Sequence, residues 1–292
     1  MKFGLYRLHE PLTEPELASI EKQYGTTISI VSVYRAWNRC SVSDEVDWLA
    51  HLKQLPRDIL LTWEPWRVPP DPDRPFDQPD FALKHIIAGR YDEYIRSFSR
   101  ELATFSQTIF LRTMHEMNGN WYPWCGTVNG NSAELYIAAW NHIRNLVNIE
   151  VPSGIEWVWS PYAHSYPDKP SNNIESYFPG DDALDLIAID GYNWGSSKAW
   201  STWQSFEEIF GNVYEALSVI SQRPFIIGEA ACDESGGSKE RWITETFDII
   251  NKRFKKIEAL IWFDEKKECD WRIASSPGSL RAFRNNAHQL SV

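Results

Sequence analysis

Leu111-Arg112-Thr113-Met114-His115-Glu116-Met117-Asn118-Gly119-Asn120-Trp121-Tyr122-Pro123-Trp124 begins as the end of an apolar strand. It finishes in a knot of one carboxylate, one imidazole, two amides, a Tyr and two Trp. A packed core has little use for that mixture, so the stretch reads as a strand that delivers chemistry at its C-terminal end. A second apolar run, Pro224-Phe225-Ile226-Ile227-Gly228-Glu229, closes on another carboxylate in the same way.

Working outward, apolar and β-branched runs predict strands at Phe3 to Arg7, Ile28 to Trp37, Ile59 to Trp66, Ile109 to Glu116, Ile155 to Ser160, Leu184 to Tyr192, Phe225 to Glu229 and Ala259 to Asp264. Amphipathic stretches predict helices at Glu14 to Tyr24, Asp44 to Leu55, Tyr91 to Phe105, Ser132 to Asn148, Ser205 to Ser221, Lys239 to Phe254 and Ser279 to Gln289. The connection Tyr162 to Asp182 alone lacks a clear helix. Strands alternating with helices of this length imply a parallel sheet. Eight such units without a break in composition imply an α/β (β/α)8 TIM barrel as a single domain over residues 1–292. The Pro-rich segment Pro69 to Pro75 follows the third strand and reads as a loop on the rim. In such barrels the active site lies at the C-terminal ends of the strands, which puts Glu116 after strand four and Glu229 after strand seven.

Composition narrows the chemistry. A formal net charge of −11 opposes nucleic acid or an anionic membrane surface as partner, and no apolar run approaches a membrane span. The 15 Trp exceed what a core needs, and flat indole faces suit the apolar C–H faces of sugars. Cys40, Cys125, Cys232 and Cys269 are dispersed, which predicts free thiols rather than a zinc ribbon or a disulfide framework. The N-terminus enters a strand at Phe3 without a charged segment and apolar run before it. That fits a cytoplasmic protein and equally a secreted domain whose leader has been removed.

Two carboxylates at strand ends meet the needs of glycoside cleavage: one acid to protonate the leaving oxygen and one carboxylate as nucleophile or base. A metal site is the competing idea. A zinc-protease helix would need His-Glu-x-x-His, whereas Gly119 holds the fifth position after His115. Period-two alternation places Arg112, Met114 and Glu116 on one side of strand four. Arg112 is then either a buried ion-pair partner on the barrel floor or a charge that keeps Glu229 ionised. Asp190 and Tyr192 share a face of strand six by the same rule. Glu64, Trp63 and Trp66, with Trp121 and Trp124, are candidate walls for flanking sugars. Trp37 and Trp194 are further candidates, and Tyr162, His164 and Tyr166 in the loop after strand five are candidates to line the cleft.

His115-Glu116-Met117-Asn118-Gly119-x-Trp121-x-Pro123-Trp124, the Gly228-Glu229 pair, and Trp262-Phe263-Asp264 followed by Lys267-Glu268-x-Asp270-Trp271-Arg272 resemble glycoside hydrolase family 26, from the first strand to the last. That family holds β-mannanases, lichenases and some β-1,3-xylanases. The resemblance implies a retaining endo-β-glycanase with Glu116 as acid/base and Glu229 as nucleophile, their carboxyls about 5–5.5 Å apart. Glu116 would hold its proton while Glu229 is ionised. Carried over by motif, Tyr192 hydrogen-bonds the nucleophile, Asp190 assists at the cleavage point, and Trp262 is the aromatic floor beneath the sugar. His115 contacts the sugar or holds the acid in place.

The segment Thr62-Trp63-Glu64-Pro65-Trp66 stands where the family's mannanases carry a His-containing segment. This moves weight from β-1,4-mannan towards mixed-linkage β-1,3-1,4-glucan, with β-1,3-xylan as a further possibility. The expected partner is a β-glycan, acted on by a monomer needing no metal or organic cofactor. A non-catalytic carbohydrate-binding barrel is the reading from another class, and both Glu residues stand against it.

Overall fold

A computed structural model describes residues 1–7, 12–38 and 48–290. Its eight strands are β1 (Lys2–Tyr6), β2 (Ile30–Asn38), β3 (Asp58–Arg67), β4 (Ile109–Thr113), β5 (Ile155–Trp159), β6 (Leu186–Asn193), β7 (Phe225–Cys232) and β8 (Ile257–Phe263). They follow one another in chain order as a closed parallel barrel. Closure is visible at β1, which pairs with β2 through Gly4↔Ile30 and with β8 through Gly4↔Ile261. Gly4 has no side chain because a Cβ there would stand 2.9 Å from Ile261.

The helices are α1 (Glu14–Tyr24), α2 (described over residues 48–52), α3 (Leu83–Ile87), α4 (Asp92–Leu102), α5 (Ala133–Glu150), α6 (Phe206–Ile220), α7 (Lys239–Lys252) and α8 (Pro277–Asn286). Local sequence sets their starts. Ser205 accepts from Glu208 N while the Glu208 carboxylate accepts from Ser205 N at 2.7 Å, a capping box that opens α6. Pro277 occupies the first turn of α8 after the Ser276 cap. The connection from β5 to β6 carries three short 3-10 turns, at Pro170–Asn172, Ile174–Tyr177 and Asp181–Ala183, in place of a helix.

The chain groups into two compact units, residues 34–187 and residues 1–33 with 188–292. In the first, Ile95, Phe98 and Leu102 of α4 and Ala139, Trp140 and Ile143 of α5 are buried. In the second, Phe206, Phe210, Trp242, Phe247 and Phe283 are buried. Burying each of the Ile, Leu and Phe side chains among them stabilises the fold by roughly 1.5–3 kcal/mol.

Three sequence expectations need correction. Strand four stops at Thr113 rather than Glu116, because Met114 (φ 49°) and Glu116 (φ 53°) adopt left-handed backbone. The period-two argument for Met114 and Glu116 therefore does not apply. Strand seven continues past Glu229 to Cys232. The short helix α3 was not expected. The beginning of the predicted helix at Asp44, and Cys40, lie outside the described residues. Cys125, Cys232 and Cys269 are free thiols, and burial pushes the Cys125 thiol up to about 12.

Candidate active site

In the unit of residues 34–187, β4 hands over to the Glu116 loop through a backbone that ordinary residues avoid. Two non-glycine left-handed residues cost about 1–3 kcal/mol each, and the surrounding bonds hold them. Tyr136 Oη donates to Met114 O at 3.2 Å, Glu116 N donates to Ser160 O at 2.7 Å, and Gly119 N closes a turn onto Glu116 O at 2.9 Å. The result turns the Glu116 side chain to Trp121, whose Nε1 donates to Glu116 Oε2 at 2.6 Å. Gly119 makes room for that indole: a Cβ would lie 2.5 Å from it.

The rest of the motif builds the frame. Asn118 is fully buried, donates to Tyr162 O and accepts from Tyr162 N, each at 2.9 Å. Its carbonyl accepts from Tyr166 N and Asn172 Nδ2, each at 2.8 Å. The amide of the motif thus fastens the β5–β6 loop beside Glu116.

His115 is buried in an aromatic nest, with ring centroids 4.8 Å from Tyr122, 5.8 Å from Trp124 and 5.9 Å from Tyr34. Burial, and then the neighbouring Arg112 charge, hold its pKa well below the ordinary histidine value, so the ring is neutral. Arg112, fully buried, donates to Thr62 Oγ1 from Nε at 2.9 Å and from Nη2 at 2.6 Å, and to Tyr34 Oη at 3.2 Å.

Glu64 lies on the Thr62 side of β3 by alternation and is 5% exposed. Trp66, on that same side, is half-buried and meets Tyr122 and Trp124 edge-on at 5.2 and 5.8 Å. Trp63 points the other way. It is fully buried, stacks on Phe98 of α4 at 4.9 Å and donates to Tyr94 Oη. The sequence had it as a sugar wall, but it occupies the layer between strand and helix, as does Trp37 beside it.

In the other unit, Glu229 is 5% exposed on β7 and accepts from Tyr192 Oη of β6. Register explains its aim. Ile227 pairs with Leu260 and Ala230 with Trp262, so Gly228 and Glu229 together oppose Ile261 alone. This bulge breaks the alternation at the carboxylate. Asp190, on the Tyr192 side of β6 by alternation, is fully buried.

Trp262 was expected as an aromatic floor. It is instead fully buried against Trp242 of α7 and Phe283 of α8, at 5.9 and 6.4 Å. The rings beside Tyr192 are Trp271 at 5.3 Å and Phe263 at 5.6 Å, to which the sequence reading gave no role. An all-apolar parallel strand such as Ile257–Phe263 carries no face signal, because both of its faces are covered. Only the polar run after it marks where the face turns.

Trp271 is fixed from below. Asp264, directly after β8, accepts from Ile273 N at 2.7 Å, from Tyr24 Oη at 2.7 Å and from Arg7 Nε at 2.8 Å. Lys239 Nζ ties the same loop through Asp270 O and Arg272 O. Among the described residues no group of three His, Cys, Asp or Glu could hold a metal ion, and no helix is long and apolar enough to cross a membrane.

Residues 76–227 match the sequence model of Glycosyl hydrolase family 26. The chain is 33% identical to Endoglucanase H of Acetivibrio thermocellus over 97% of its own length and 30% of that relative's. It is 32% identical to Mannan endo-1,4-beta-mannosidase A and B of Caldalkalibacillus mannanilyticus over 32% of this chain and 18% of that one. It therefore spans under a third of the length of either relative. Among solved structures it resembles the catalytic domain of a Bacillus sp. JAMB-750 GH26 endo-beta-1,4-mannanase. There the TM-score is 0.69, with 15% identity, 99% of this chain and 85% of that chain covered.

Proposed function

From the premise that the chain belongs to glycosyl hydrolase family 26, a family of glycoside hydrolases, we propose that residues 1–292 act as one retaining endo-β-glycanase domain. Glu229 is the nucleophile and Glu116 the acid/base. The observation that carries this reading is that each carboxylate receives a hydrogen bond from an aromatic side chain of its own unit, Trp121 for Glu116 and Tyr192 for Glu229. Such donors fix the direction of a carboxylate at little entropic cost, which is what positioned acid/base and nucleophilic groups need.

The steps follow. Glu229 attacks the anomeric carbon as Glu116 gives its proton to the departing glycosidic oxygen, forming a covalent glycosyl-enzyme. Glu116, now ionised, takes a proton from water as that water attacks the same carbon and releases Glu229. Trp121 engages Oε2, so the transferred proton belongs on the other Glu116 oxygen. Asp190 and His115 serve the sugar at the cleavage point, with His115 as a neutral hydrogen-bonding group. Arg112 and Glu64 serve the bottom of the site, and Trp66 a flanking sugar.

A mixed-linkage β-1,3-1,4-glucan is the favoured substrate. The relative that aligns with nearly the whole chain is named an endoglucanase, whereas the mannan endo-1,4-beta-mannosidase aligns with 32% of it. Thr62-Trp63-Glu64-Pro65-Trp66 supports the same preference. β-1,4-Mannan is the second reading. Incubation with barley β-glucan, mannan, carboxymethylcellulose and β-1,3-xylan, with product analysis, tests both. Oligosaccharides from the glucan whose first-formed anomer is β are expected, and no new reducing ends from any of the four would reject the reading.

A further inference from the structure

We propose that Trp200, backed by Trp194, forms a platform outside the cleavage point that binds a neutral pyranose of the same glycan chain; this rests on the reading of the protein as a β-glycan hydrolase. Trp200 is 71% exposed, the largest side chain so presented among the described residues. Ile149 on α5 and the adjoining Val219 and Ile220 on α6 are exposed too, but as aliphatic residues on helix surfaces, which need no explanation. Trp200 differs in being continuous with the site. Its ring lies 5.2 Å from Trp194, Trp194 lies 6.3 Å from Tyr192, and Tyr192 donates to Glu229.

The loop that carries it is braced. Gly195 N and Gln204 N both donate to Asn193 Oδ1 at 3.1 Å, and Ser201 Oγ donates to Gly195 O at 2.7 Å. Ser196 N donates to Ser235 O at 3.0 Å. Gly195, with φ 53°, passes so close to Ser235 that a Cβ would lie 1.8 Å from its carbonyl oxygen. An exposed indole on a braced loop is preorganised, so binding does not have to order it. Lys198 already covers Trp194, with Nζ 5.8 Å from its ring centroid, which leaves the Trp200 ring as the open surface. An open indole face of this kind suits the apolar C–H face of a sugar ring.

The test compares Trp200→Ala and Trp200→Phe with the intact protein on barley β-glucan and on an aryl β-disaccharide, with mobility in native gels containing the glucan as a second readout. For Trp200→Ala, KM on the polysaccharide rises roughly three- to tenfold, the size of one lost stacking contact. The ratio of kcat/KM on polysaccharide to that on the short glycoside falls by the same factor, and gel retardation weakens. Trp200→Phe recovers part of each. The control Val219→Ala matches the intact protein. Unchanged KM and mobility in an active Trp200→Ala variant overturn the platform and leave Trp200 to a protein partner. If the intact protein releases no sugar, the hydrolase reading fails. In that event retardation that depends on Trp200 still upholds the platform, and its absence overturns that too.

Discussion

The indole N–H of Trp121 donates to Glu116 Oε2 at 2.6 Å, across a glycine whose Cβ would stand 2.5 Å from that indole. Trp121→Phe keeps the aromatic face and removes the donor. Glu116 ionises as its proton leaves, and a hydrogen bond to a charged group contributes about 1.5–3 kcal/mol, so kcat is expected to fall roughly 10–100-fold with a smaller change in KM. Gly119→Ala pushes the ring off the carboxylate and gives the same signature. Steady-state kinetics on a soluble β-glucan check both; a change confined to KM would make Trp121 a sugar wall only.

Tyr192→Phe leaves the ring between Trp271 and Phe263 and deletes the hydroxyl that binds Glu229. The fold should be unaffected by circular dichroism, and kcat/KM should drop about 10–100-fold, again the scale of one charge-assisted hydrogen bond. Wild-type turnover in this variant would remove Tyr192 from the mechanism.

His115 links stability to pH. Burial lowers its folded pKa well below the unfolded value of 6.5. Above 6.5 both states are neutral at this site and it adds no pH dependence. Below 6.5 the unfolded chain takes up a proton that the native ring refuses, so stability falls as pH falls. The slope from this residue approaches about 1.4 kcal/mol per pH unit. Denaturant unfolding between pH 5 and 7 should be correspondingly shallower in His115→Phe, and equal slopes would contradict the neutral, buried ring.

Arg7→Ala strips the cation from Asp264, whose side chain has no exposure and which Arg7 Nη2 approaches to 2.6 Å. Removing one partner of a buried pair costs about 3–5 kcal/mol. Arg7 is 28% exposed on its side chain, so water compensates part of this and about 2 kcal/mol is expected. Because Asp264 also anchors the loop bearing Trp271, the variant should lose activity together with stability. A variant of wild-type stability would show the pair to be incidental.

The barrel was legible because eight apolar runs alternate with amphipathic helices, a pattern that admits few architectures. Glu116 and Glu229 were legible as candidates because each follows an apolar run in the sequence, although β4 ends at Thr113 and β7 runs on to Cys232. The conformation at Glu116 was not, since two left-handed non-glycine residues leave no mark in a sequence read by strand period. The bulge that aims Glu229 depends on register between strands, which no single strand encodes. Trp63 and Trp262 were read as sugar contacts and lie against helices instead. Parallel strands are apolar on both faces, so residue type alone does not tell barrel interior from helix layer. Trp271 was quoted in the motif but given no role for the complementary reason: its place depends on Asp264 accepting from Ile273 N, nine positions further along the chain.

The central claim, that Glu229 forms the glycosyl-enzyme and Glu116 handles the proton, is tested most directly by the anomeric configuration of the azide adduct formed from an activated aryl β-glycoside, read by proton NMR. In Glu229→Ala, azide occupies the space of the missing carboxylate and attacks the intact glycoside from below, so an α-glycosyl azide is predicted. In Glu116→Ala, the glycosyl-enzyme still forms and azide replaces water on the opposite face, so a β-glycosyl azide is predicted. The reverse pairing, or normal hydrolysis of polysaccharide by either variant, would contradict the assignment.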